Sequence, residues 1–117
     1  MSDNGLNELR DECYAISLRN GFHDGDNVLY RPPTQIAPKL LLINSEIGEA
    51  TEALRQLDWE TKPSEHVPTM TAFEEEIADV IIRVMDMCGW LGIDIERCVA
   101  EKVAFNRTRP YKHNKTF

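Results

Sequence analysis

The chain has 117 residues and a net charge of −7. That length makes one domain, residues 1–117, whose modest core would gain from association with further copies. The acidic balance argues against a general nucleic-acid or anionic-membrane binder, since both need a basic surface, but it leaves phosphate substrates open because bound cations reverse a local field.

From Leu6 to about Arg19 the apolar positions Leu6, Leu9, Cys13 and Ile16 step by 3, 4 and 3, and Asn20-Gly21 supplies a stop. This spacing predicts a first helix. The stretch GFHDGDNVLYRPP that follows reads as an ordered loop carrying Phe22, His23 and Tyr30. A second helix is expected to begin between Thr34 and Pro38, since proline fits a first turn. Its stripe runs Ile36, Leu40, Ile43, Ile47, Ala50, Leu54, Leu57, with Leu41 and Leu42 widening the apolar surface.

Asp58 to Met70 is a polar connection with Pro63 and Pro68. Thr71-x-x-Glu74 forms a capping box and opens a third helix. Its expected buried stripe is Phe73, Ile77, Val80, Ile81, Val84, Cys88 and Leu91, and Gly92 ends it. Asp94 can cap a fourth helix reaching about Thr108, before Pro110. There Lys102, Asn106 and Arg109 step by 4 and 3 and share one polar face. No alternating run bounded by turns marks a strand. The expected fold is all-α, an antiparallel bundle of four main helices. Cys13, Cys88 and Cys98 form no C-x-x-C, so neither a disulfide framework nor a zinc knuckle is expected. A reducing cytoplasm fits, as do a polar N-terminus without signal layout and the absence of any apolar run long enough to span a membrane.

The chemistry lies on the second and third helices. Glu46 and Glu49 are three residues apart, as are Glu76 and Asp79. Residues at that spacing lie on one helix face, with Cβ atoms roughly 5–6 Å apart. One such pair is ordinarily solvated surface charge. Two pairs, each at the edge of an apolar stripe on successive long helices, gather four carboxylates if the helices pack together. Like charges that close repel, and a hard divalent cation removes the cost. Oxygen-only ligation favours magnesium, manganese or calcium over zinc. A di-iron bundle would need Glu-x-x-His, and none of His23, His66 and His113 has that partner.

Glu46-x-x-Glu49, a gap, then Glu76-x-x-Asp79 resembles the metal signature of the all-α nucleoside triphosphate pyrophosphohydrolases, the MazG-like group. The tail adds to it. Gly92-Ile93-Asp94, then Lys102, Asn106, Arg109, Pro110, Tyr111, Lys112 and His113, looks like the ending of short, often phage-borne, MazG-like proteins. The resemblance covers roughly Leu40 to Lys115. It implies that Glu46, Glu49, Glu76 and Asp79 bind magnesium, with manganese able to substitute, and hydrolyse a nucleoside triphosphate to monophosphate and pyrophosphate. It implies phosphate contacts from Lys102, Asn106, Arg109 and Lys112, and base contacts near Phe22 and His23, with Trp59 a second aromatic candidate. It further implies homodimers or homotetramers with sites near subunit interfaces, a role in clearing or rebalancing nucleotide pools, and a lean towards guanine nucleotides. Many members place tyrosine where this chain has Arg83, which could pair with Asp79 or Asp86 or touch the substrate. Asn114 stands where glycine is commoner. Two rivals remain at this level: a non-catalytic helical interaction module with solvated acidic faces, and a metal-dependent phosphohydrolase acting on nucleoside diphosphates.

Overall fold

A computed structural model describes residues 5–27 and 29–116. It contains four α-helices, α1 (Leu6–Arg19), α2 (Pro33–Leu54), α3 (Ala72–Leu91) and α4 (Ile95–Asn106), and a 3-10 turn at Tyr111–Asn114. The described residues include no strand, only an isolated bridge between Pro63 and Thr71. The all-α expectation therefore holds, and among the described residues no helix is long and apolar enough to cross a membrane.

Local chemistry sets the ends of α3. Thr71 Oγ1 accepts from the Glu74 amide at 3.1 Å, and Glu74 Oε1 accepts from the Thr71 amide at 2.8 Å, the expected capping box. Gly92, at φ 69°, turns the chain out of the helix in the left-handed region. Asp94 then caps α4 by accepting from the Arg97 amide.

The central helix is α3, which packs against both α1 and α2, while α4 leans on α1. Gly89 lets α1 come close: a Cβ there would lie 2.5 Å from Tyr14 Cβ. Arg10 Nη1 donates to the Ile93 carbonyl at 2.8 Å and Asn7 Nδ2 to Asp94 Oδ1 at 2.9 Å, tying α1 to the α3–α4 link. Trp90 is the deepest side chain, with no exposure, beside buried Met85 and Cys88. All three cysteines are free.

The structure departs from the sequence reading in three ways. Helix α2 stops at Leu54, and Leu57 stands wholly in solvent, because the polar run that follows has no apolar partner. Helix α4 stops at Asn106, short of Thr108, whose hydroxyl folds back onto the Phe105 carbonyl. Third, the apolar stripes are only partly covered. Ile43 and Ala50 of α2 are buried, but Leu40, Leu41, Leu42, Ile47 and Leu54 are exposed, as are Ile77 and Ile81 of α3. The buried side of α3 is turned instead towards α1, where Gly89 meets Tyr14 and Met85 lies one turn earlier.

Candidate functional site

Packing of α2 on α3 brings the two carboxylate pairs together. Glu46, Glu49 and Glu76 each offer an oxygen within 4.8 Å of the others, and so do Glu75, Glu76 and Asp79. Glu76 belongs to both groups and is the hub. All four carboxylates expected from the sequence are therefore in one place, and Glu75 joins them. Glu49 is exposed, while Glu46, Glu75, Glu76 and Asp79 are half-buried.

The surroundings neutralise this charge only in part. Burial, reinforced by Glu49 and then by Asp79 and Glu46, pushes the Glu76 carboxyl up to about 7. Its Oε2 atom is buried without a hydrogen-bond partner. Burial and the Glu46 charge also raise Asp79, against the lowering influence of Arg83. Arg83 Nε donates to Glu46 Oε1 at 2.7 Å, so its partner is on the neighbouring helix and is neither Asp79 nor Asp86. Glu75 is satisfied from the other side: it accepts from the Ser64 hydroxyl and lies 3.0 Å from His66 Nδ1, and both hold its carboxyl below the ordinary value. A buried polar atom without a partner is costly. Carboxylate oxygens this close fit a hard cation, which would convert mutual repulsion into attraction.

An open cleft of about 290 Å³ adjoins the cluster and is lined by Phe22, Glu46, Asp79, Ile82, Arg83 and Asp86, among others. Phe22 lies on it and is 65% exposed. His23 corrects the sequence reading, for it is buried at 7% exposure and does not line the cleft. Its Nε2 meets Asp86 Oδ1 at 2.6 Å and its Nδ1 meets Asp26 Oδ2 at 2.8 Å. Ser17 Oγ donates to Asp86 Oδ2 at 2.7 Å, and Lys39 Nζ pairs with Asp26 at 2.8 Å. Burial alone would raise the Asp26 carboxyl, but hydrogen bonds from Lys39 and His23 hold it below its ordinary value. His23 is thus a strut that fastens the loop after α1 to α3.

The basic residues of the tail are elsewhere. Lys102 and Arg109 gather on Phe105, with Nζ 4.7 Å and Cζ 5.6 Å from the ring centre. Lys112 lies 5.6 Å from the Tyr111 ring. Among the described residues, none of Lys102, Asn106, Arg109 and Lys112 pairs with a cluster carboxylate or lines the cleft, because α4 rests on α1. The phosphate clamp expected opposite the carboxylates is not formed within one chain. Trp59 packs edge-on against Phe73 at 5.6 Å, away from the cleft. Lys112, His113 and Asn114 all take positive φ, so the left-handed turn expected of a glycine at position 114 is made by three side-chain-bearing residues.

No protein-family model, curated protein or solved structure matches this chain.

Proposed function

We propose that this chain is a magnesium-dependent nucleoside triphosphate pyrophosphohydrolase of the MazG-like kind. The observation that carries the reading is the junction of Glu46 and Glu49 with Glu76 and Asp79, together with a Glu76 Oε2 that is buried without a hydrogen-bond partner. A merely solubilising acidic face would leave its carboxylates in water with ordinary proton affinities, whereas Glu76 is half-buried and holds its proton up to about pH 7. That contrast favours the enzyme over the interaction module.

Glu46, Glu49, Glu76 and Asp79 would hold the cation. When bound, magnesium supplies charge for phosphate oxygens and lowers the pKa of a coordinated water. The chain's own part is placement. Phosphoryl transfer is catalysed chiefly by positioning and charge neutralisation. Glu46 is oriented by Arg83, and Glu75 is restrained by Ser64 and His66 at the other edge. The cleft beside Asp79 has room for part of a nucleotide, with Phe22 offering an aromatic face. Water attack at the α-phosphorus would release pyrophosphate and leave the monophosphate.

The unpaired apolar faces of α2 and α3 support a bundle completed by further copies. We assign the phosphate clamp of Lys102, Asn106, Arg109 and Lys112 to such an assembly, since one chain keeps these residues apart from the carboxylates. The test is a panel of nucleoside tri- and diphosphates with magnesium, resolving all phosphate products. Monophosphate with pyrophosphate supports the reading. Inorganic phosphate from diphosphates alone would replace it with the diphosphohydrolase rival, and no magnesium-dependent product from any nucleotide would overturn it.

A further inference from the structure

We infer that Asp86 is a specificity-determining residue that reads the edge of a nucleobase in the cleft and selects bases bearing an exocyclic amino group over uracil and thymine. This rests on the nucleotide reading above but concerns a different residue and a different property.

Asp86 has no place in the carboxylate cluster. It lies on α3 two turns beyond Asp79 and lines the cleft that Glu46 and Asp79 enter from the other side. Its side chain is 20% exposed, and it also lines the smaller neighbouring pocket with Phe22, Lys39 and Arg83. The two hydrogen bonds from His23 and Ser17 fix its plane, one to each oxygen. An ionised carboxylate has about four lone-pair sites and no donor. Each oxygen therefore keeps one site, and both are acceptors. Phe22, on the same cleft, offers the flat apolar surface on which any base can stack.

A fixed acceptor pair beside a stacking ring is not neutral among bases. Cytosine, adenine and guanine carry an amino group that can donate to Asp86. At the position of the cytosine amino group uracil and thymine carry a carbonyl oxygen, so an Asp86 oxygen aimed there would face another acceptor, and their N3–H could be met only by a shift of the base. Stacking on Phe22 supplies affinity without choice, and Asp86 supplies the choice.

The test compares cytidine and uridine 5′-monophosphates, which differ only at that edge, by equilibrium binding with magnesium present. The expected result is binding of the cytidine compound roughly tenfold or more tighter. Asp86→Asn should bring the ratio close to one, because an amide offers both a donor and an acceptor. Phe22→Ala should weaken both compounds together and leave the ratio unchanged. If Asp86 only braced His23 and its loop, Asp86→Asn would weaken both ligands alike and preserve the ratio, and that result overturns the inference. So do equal binding to the wild-type protein and absence of binding at millimolar concentration. Hydrolysis of cytidine and uridine triphosphates with equal kcat/KM would leave the hydrolase reading standing and remove the base reader. Amino-selective binding without hydrolysis would do the reverse.

Discussion

Arg83 Nε on α3 donates to Glu46 Oε1 on α2 across 2.7 Å, at the edge of the carboxylate cluster. Glu46 is the more buried of the two, with 12% of its side chain exposed against 34% for Arg83. The pair orients one oxygen of the cluster, and Arg83 works against the rise in the proton affinity of Asp79 that burial and Glu46 cause. Arg83→Ala is therefore expected to destabilise the metal-free protein by about 1–2 kcal/mol, the cost of stranding a half-buried charge-assisted partner. Arg83→Lys should recover only part of this, since a point charge does not reproduce the guanidinium fork. Denaturant melts of the three proteins in EDTA check it, and equal midpoints would remove the orienting role.

Glu49→Gln and Asp79→Asn should each lower turnover about a hundredfold or more, the scale expected when a metal site or a proton-transfer group is damaged. Helical circular dichroism should be unchanged. Without metal both variants should melt higher than the parent, because each removes one of several repelling carboxylates. Near-parental turnover in both would sink the assignment of these residues.

The pH dependence of metal-free stability has a definite sign. Glu76 holds its proton up to about pH 7 in the folded chain, against 4.5 for the ordinary group. The stability linked to that proton is complete below 4.5 and is lost as pH rises through 7. Asp79, also raised, acts in the same direction. Asp26, Glu75 and Asp94 are lowered, so their contributions are already complete above about pH 5. Melting temperature in EDTA should therefore fall between pH 5.5 and 8, and Glu76→Gln should flatten the fall. A parent curve that rises over that interval contradicts this account of the cluster.

Sequence periodicity located the four carboxylates because residues three apart on a helix share a face whatever the helix packs against. Periodicity could not show how they would be buried. Glu76 is half-buried and Glu49 exposed because α2 and α3 meet at a particular rotation, which no single helix encodes. The same limit explains Arg83, whose steps along α3 offered Asp79 and Asp86 while its partner came from α2. The His23–Asp86 contact joins positions 63 apart and depends on where the loop after α1 folds back. Lys102 and Asn106 do lie on α4, but Arg109 falls beyond its end, and spacing does not say that α4 packs on α1.

Leu40, Leu41, Ile47 and Leu54 are exposed apolar side chains on α2, and Ile77 and Ile81 are exposed on α3. Apolar surface of that kind is expected to be covered by another copy. Sedimentation at micromolar concentration should show a dimer or larger species, and Leu41→Glu/Ile47→Glu should yield a folded monomer. A parent protein that sediments as a monomer, with or without magnesium, goes against it.

Gly89 marks a close approach of α1 and α3, with Tyr14 Cβ 2.5 Å and the Arg10 carbonyl 3.2 Å from where a Cβ would sit. The carbonyl is backbone and cannot swing aside. Gly89→Ala should therefore cost about 1–3 kcal/mol, as overpacking does, despite the better helix propensity of alanine. A gain in melting temperature would show that the two helices can part without penalty.

The most direct measurement is manganese binding followed by electron paramagnetic resonance, with magnesium as competitor, in the parent protein and in Glu49→Gln/Asp79→Asn. The parent should show a saturable site that magnesium displaces, with affinity rising as pH passes through 7, where Glu76 must give up its proton. The double variant should lose that site. Weak, pH-independent binding of equal strength in both proteins would contradict a metal centre built from Glu46, Glu49, Glu76 and Asp79.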